Sequence, residues 1–161
     1  AVEGRCLRSF DGHTNSVVDI CVLPDMRVVS ASHDKTLVVW DLNMERGRAP
    51  LKLQGHEEAV WHVRRLWQDR IISAEGGAPS HLGKLKVWDT TTGVCIQTLQ
   101  GAHSGRIFGF AVNSHFQVVA GSEDGMIQVW FLAGSDRPPN AMSRPVSPGP
   151  ATRTRSRRRT P

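Results

Sequence analysis

Apolar positions along the first 132 residues recur in three matched sets. Counted from His13, His56 and His103, the segments 13–30, 56–73 and 103–120 align without a gap. Apolar side chains stack at Val17/Val60/Ile107, at Ile20/Val63/Phe110, and as the pairs Val28-Val29, Ile71-Ile72 and Val118-Val119. C-terminal to these lie Leu37-Val38-Val39-Trp40-Asp41, Leu85-Lys86-Val87-Trp88-Asp89 and Ile127-Gln128-Val129-Trp130-Phe131. Ahead of each histidine, Gly4, Gly47 and Gly93 stand eight residues before Gly12, Gly55 and Gly101, and Cys6-Leu7 matches Cys95-Ile96. Short apolar runs rich in β-branched residues predict short strands. Ser32-His33-Asp34-Lys35 and Glu123-Asp124-Gly125 supply tight turns between the last two strands of their units. No stretch holds helical periodicity over three turns, so each unit predicts four strands, and the chain reads as a repeat protein.

The Gly-His pairs at 12–13 and 55–56, with Trp-Asp at 40–41 and 88–89, resemble the WD40 repeat, the blade of a β-propeller. The resemblance covers roughly residues 4–132 and implies an all-β fold, with blades around 4–41, 47–89 and 93–131 inside a domain spanning 1–133. It also implies a hydrogen-bonded set of Trp, Ser/Thr, His and Asp in each blade, a device that satisfies buried polar groups. Repeat 1 matches at all four places: Trp40, Ser30, His13 and Asp34. In repeat 2, His56, Ser73 and Trp88 match, but no Asp lies between Ser73 and Trp88. Those two are fifteen apart instead of the ten between Ser30 and Trp40, and the insert 75–82 predicts a longer loop. In repeat 3, His103, Asp124 and Trp130 match, while Ala102 separates Gly101 from the histidine, Ala120 stands where Ser is expected, and Phe131 follows the tryptophan. Blade 1 is therefore expected to be the best stapled.

Charge divides the chain. Residues 134–161 carry seven arginines against a single acid, Asp136, whereas the rest carries 13 basic and 14 acidic side chains. The high pI thus reports a tail, and the repeats lack the basic surface of a nucleic-acid-binding domain. That tail holds six of the nine prolines and no Leu, Ile, Phe or Trp, so it predicts disorder. Its Arg153-Thr154-Arg155-Ser156-Arg157-Arg158-Arg159 run is a candidate nuclear-import or nucleic-acid patch, and Ser147-Pro148 and Thr160-Pro161 are candidate phosphorylation sites. A solvated terminus without a partner is the plainer reading. Cys6, Cys21 and Cys95 fall on predicted strands at no ligand spacing, as buried thiols of a reducing compartment would. No apolar run approaches membrane-spanning length, which leaves the cytoplasm, the nucleus or both as the expected location.

Three blades do not close a ring, since propellers have typically four to eight. The chain opens on an expected outer strand at about 5–10 and ends on an expected third strand at about 126–130. The missing blades are expected from a longer chain or, less readily, from a second copy. His13, Ser30 and Asp34 hold the letters of a hydrolase triad, but recurrence of the histidine in every unit points to a structural role. No catalytic residue, cofactor motif or metal-ligand spacing emerges. The resemblance instead implies a binding rim made by residues three and five after the blade histidine and by the one before the turn Asp. These are Ser16, Val18 and His33 in repeat 1, Ala59 and Trp61 in repeat 2, and Arg106, Phe108 and Glu123 in repeat 3. The expected function is a non-enzymatic interaction scaffold for a protein or peptide partner, in one version a ubiquitin-ligase substrate receptor. The Arg of the ligase-docking pattern is absent two residues after either Trp-Asp, where Asn43 and Thr91 stand. The alternative is a nucleic-acid-associated factor acting through the tail.

Overall fold

The computed structural model describes residues 4–43, 49–76, 83–99, 101, 103–114 and 117–132; the tail at 134–161 and insert residues 77–82 lie outside them. The described residues form eleven strands and no helix. Blade 1 is an antiparallel sheet of β1 (Val17–Val22), β2 (Arg27–Ser32), β3 (Leu37–Asp41) and β4 (Leu51–Leu53). Blade 2 repeats it with β5 (Val60–Arg65), β6 (Arg70–Glu75), β7 (Lys84–Asp89) and β8 (Cys95–Leu99). Blade 3 has three strands, β9 (Ile107–Val112), β10 (Gln117–Ser122) and β11 (Ile127–Phe131).

Turn chemistry accounts for the hairpins. Between β2 and β3, Asp34 accepts from the Thr36 amide at 3.0 Å and the Thr36 hydroxyl at 2.6 Å, and Lys35 sits at φ 69°. Between β10 and β11, Asp124 accepts from the Met126 amide at 2.8 Å, with Gly125 at φ 78°. A carboxylate that bonds its own backbone two residues on stabilises such a turn.

Two apolar seams join the blades. Val29, Ala31, Leu37, Val39 and Leu53 of blade 1 pack on Val60, Val63, Ile71 and Trp88 of blade 2. Ile72, Ala74, Leu85, Val87 and Leu99 of blade 2 then pack on Ile107, Val118 and Ala120 of blade 3. Polar ties reinforce the first seam. Buried Arg27 bonds Asp25, Asp69 (2.6 Å) and the Thr90 carbonyl (2.8 Å), and Asp19 accepts from the Val63 amide at 2.9 Å. A cavity of about 660 Å³ beside Arg27 is lined in part by this cross-seam set, Arg27, Asp69 and Thr90.

The expected outer strand at 5–10 does not form: residues 4–10 make no ladder and are mostly exposed. Strands β4 and β8 show why. Each lies at the start of a repeat yet pairs with the third strand of the blade before it, β3 and β7 respectively. Residues 6–10 occupy the same repeat positions, but no third strand among the described residues is placed to pair with them, and an unpaired strand leaves its amides and carbonyls without a ladder. The cysteines are corrected with it: Cys21 is buried on β1 and Cys95 half-buried on β8, but Cys6 is exposed on no strand.

Candidate functional site

The blade networks come first, because one of them has the geometry of a catalytic triad. His13 Nδ1 lies 2.8 Å from Asp34 Oδ2, and His13 Nε2 lies 2.7 Å from Ser30 Oγ. Burial pushes the Asp34 carboxyl up, but hydrogen bonds from Thr36, the Thr14 amide and His13 outweigh it and hold the group well below the usual carboxylate range. Ser30, however, is buried and accepts a bond from Trp40 Nε1 at 2.8 Å. A hydroxyl engaged by an indole on one side and an imidazole on the other presents no face to a substrate. The set is a staple within the sheet.

Blade 2 corrects two expectations at once. The missing turn Asp is replaced by Glu75, whose Oε2 lies 2.7 Å from His56 Nδ1 and accepts the Glu57 amide at 2.8 Å. Glu75 belongs to β6, not to the inserted loop. It stands two residues after Ser73, where blades 1 and 3 have Ser32 and Ser122, which brace the amides of Asp34 and Asp124. The longer glutamate side chain reaches the histidine from the strand and does the turn residue's work there. Burial pushes Glu75 up, yet the His56 bond and the Glu57 and Glu58 amides outweigh this and lower its pKa. Burial likewise pulls the His56 imidazole below its ordinary value against the attraction of Glu75. A neutral His56 therefore donates from Nδ1 and accepts at Nε2 from Ser73 Oγ at 2.7 Å, while Trp88 Nε1 donates to the same oxygen at 2.8 Å. Blade 2 is thus stapled as completely as blade 1.

Blade 3 departs as expected. His103 Nδ1 pairs with Asp124 at 3.0 Å, but with Ala120 in place of Ser its Nε2 is enclosed without a partner. Gly101 still serves its tryptophan despite the extra Ala102: a Cβ there would come 2.5 Å from Trp130 Cζ2, as one on Gly12 would come 2.9 Å from Trp40 Cη2. In blades 1 and 3 the glycine ahead of the blade histidine is needed because the indole lies against it, whereas Gly55 of blade 2 sits at φ 136°, a conformation that favours glycine.

The rim residues come together as rows. The carbonyls of Ser16, Ala59 and Arg106 accept the amides of His33, Gly76 and Glu123 at 3.0, 3.1 and 2.9 Å. Gly76 therefore fills the place that lacked a residue in repeat 2; its distance from Ser73 equals that of His33 from Ser30, which is the signal that locates it. Each first strand also carries a β-bulge, and the residue it throws out of register is Val18, Trp61 or Phe108. Bulges re-aim side chains at sheet ends. All three are among the residues that the WD40 resemblance assigns to a rim, and the repeat pattern gave no indication of the bulge. Across the blades, His33 packs against Trp61 at 4.3 Å between ring centroids with the planes tilted by 55°, and the Arg106 guanidinium carbon lies 4.2 Å from the Trp61 centroid. Trp61 Nε1 donates to the Gly76 carbonyl at 2.7 Å. Phe108 and Val18 are exposed. Among the described residues, no group of three or more His, Cys, Asp or Glu side chains is placed to hold a metal ion.

Comparison with known proteins decides the family. The model of the WD domain, G-beta repeat, matches residues 4–41 and 93–130. The chain belongs to the WD40-repeat family. The second WD40 unit, with its insert and its Glu75, falls outside the matched stretches, although its sheet is complete. Relatives include the ribosome biogenesis protein YTM1 of Phaeosphaeria nodorum, 30% identical over 78% of this chain and 26% of its own. The ribosome biogenesis protein WDR12 homolog of Nematostella vectensis is 31% identical over 83% of this chain and 37% of its own. The probable coatomer subunit beta' of Schizosaccharomyces pombe is 28% identical over 78% and 16%. This WD40 chain spans well under half the length of each. No helix of the described residues is long and apolar enough to cross a membrane.

Proposed function

We propose that this WD40 chain is a non-enzymatic interaction scaffold whose rim, from Ser16 and Val18 in blade 1 to Phe108 and Glu123 in blade 3, receives a protein or peptide. The observation that carries the reading is the bulge repeated in all three first strands, which turns Val18, Trp61 and Phe108 out of the ladder. An aromatic pair beside an arginine is the composition of an interaction hot spot. A photo-crosslinking residue at Phe108, with Val94 as a control of equal exposure at 59%, tests it in cells. Discrete adducts from Phe108 and none from Val94 are expected; identical patterns from both sink the reading. A ubiquitin-ligase substrate receptor is the narrower form, and stable co-purification with a ligase core is its test. The names of the relatives, ribosome biogenesis and nuclear distribution proteins among them, support action in the nucleus or cytoplasm.

The open faces of blades 1 and 3 are completed, in this reading, by further blades from a longer chain or from a second copy. Light scattering on the purified chain separates these: a folded dimer favours a six-blade ring, and a poorly structured species favours the longer chain. The seven arginines against one acid in 134–161 favour a second activity, nucleic-acid association. Deleting 134–161 should then abolish salt-sensitive nucleic-acid binding and leave rim crosslinks unchanged.

A further inference from the structure

Arg106 is the least explained charge on the rim. Its guanidinium lies 4.2 Å from the Trp61 ring centroid, yet it makes no ion pair or hydrogen bond among the described residues. Its Nε is enclosed without a partner, although the residue as a whole is only half-buried. The other ring contact of Trp61, His33, also encloses an unpartnered nitrogen, Nε2. Two unmet polar atoms at one cluster are a cost that calls for an explanation.

The side chain is nevertheless seated with care. A Cβ on Gly76 would come 2.7 Å from Arg106 Cα and 3.1 Å from its Cγ, so only glycine lets the arginine backbone approach. The same Gly76 holds Trp61 through its carbonyl at 2.7 Å. Gly76 thus seats the backbone and stem of Arg106, and Trp61 lies under its guanidinium carbon, both from blade 2. The nearest acid along the rim, Glu123, reaches Arg106 only through the backbone, its amide donating to the Arg106 carbonyl at 2.9 Å. Two residues from Arg106, bulged Phe108 is 59% exposed.

A guanidinium centred over an indole, with its terminal nitrogens in no hydrogen bond or ion pair among the described residues, can match a two-oxygen anion bidentately. We propose that Arg106 is the anchor of an anion-recognition site that takes the carboxylate or phosphate of an extended peptide, with Phe108 covering an apolar neighbour of that group. This rests on the rim being a partner surface and adds what the partner must carry. Glu123 tempers the site by repelling the same anion, which gives the test a variant of opposite sign.

The probes are three degenerate fluorescein-labelled peptide pools that differ only at a fixed central residue: glutamate, phosphoserine or glutamine. Each is titrated by anisotropy with the full 161-residue chain. An acidic pool is expected to bind about tenfold tighter than the glutamine pool, as a charge-assisted pair implies, and the gap should shrink with salt. Arg106→Gln should erase that preference, Arg106→Lys should keep only part of it because the fork is lost, and Glu123→Gln should enlarge it. Whichever acidic pool leads identifies carboxylate or phosphate as the source. Equal binding of all three pools, or a preference that survives Arg106→Gln, overturns the anion site. If Phe108→Ala then still weakens the glutamine pool, the rim reading stands alone. If no pool binds, both readings fall.

Discussion

In blade 2, the positions three and one before the tryptophan, Leu85 and Val87, are fully buried; in blade 3 their equivalents Ile127 and Val129 are 76% and 56% exposed. The leading side behaves the same way in reverse: Val60 and Val63 of blade 2 are buried, whereas Val17 and Ile20 of blade 1 are exposed. The residue types hardly differ. What differs is whether a blade lies alongside, so burial in this fold belongs to the seam between blades and not to the strand. The polar networks teach a complementary lesson. Blade 2 departs from the motif and is fully satisfied through Glu75, while blade 3 keeps its Asp and leaves His103 Nε2 unmet.

The sharpest way to break this contrast is at Glu75. Glu75→Ala strips the partner from His56 Nδ1 and from the Glu57 amide, and should cost about 3 kcal/mol in denaturant unfolding. The same change at Asp124, at the more open end of blade 3, should cost less; equal losses would mean that the blades are not distinguished by burial. Next come the paired valines. Val87→Ala should cost about 2 kcal/mol and Val129→Ala less than about 0.5 kcal/mol. A large loss at Val129 would show that its face is covered in solution. Acid offers a more gradual probe. His56 has a lowered folded pKa, so the unfolded chain takes up the proton first, and stability should fall as pH drops below the ordinary histidine value of about 6.5. Glu75, Asp34 and Asp89, the last held at about 2, are also lowered in the fold, so a second loss should follow below the ordinary carboxylate range as pH falls toward their folded values. Thermal midpoints measured from pH 8 to pH 3 should show both steps; a flat profile between pH 7 and pH 5 would remove His56 from the account. The smallest effect is a gain. Ala120→Ser places a hydroxyl where Ser30 and Ser73 serve the other histidines, and should stabilise the chain by about 1 kcal/mol by meeting His103 Nε2.

Much of this was legible along the chain. Three registers of apolar residues predicted the strands, and blade 1's Trp40, Ser30, His13 and Asp34 are bonded in the expected order. The third rim place of blade 2 was legible too, since Gly76 keeps the spacing of His33 and Glu123, but a search for the residue before an Asp passes over it. Glu75 was missed for a different reason. Its role depends on a longer side chain reaching from the strand to a histidine nineteen positions away, and a motif defined by position and residue type does not encode reach.

By itself, the sequence determined local things: where strands begin and turn, and which histidine meets which hydroxyl. These follow from side-chain alternation and turn chemistry within one repeat, whose contacts are near in sequence. Only the tertiary structure decided which of the equivalent apolar residues are buried and that residues 6–10 stay unpaired. It alone decided that His33, Trp61 and Arg106, from three different blades, form one cluster. The reason is that a ladder edge and an apolar face are satisfied only by a neighbour, and the repeat pattern alone says nothing about whether that neighbour is present.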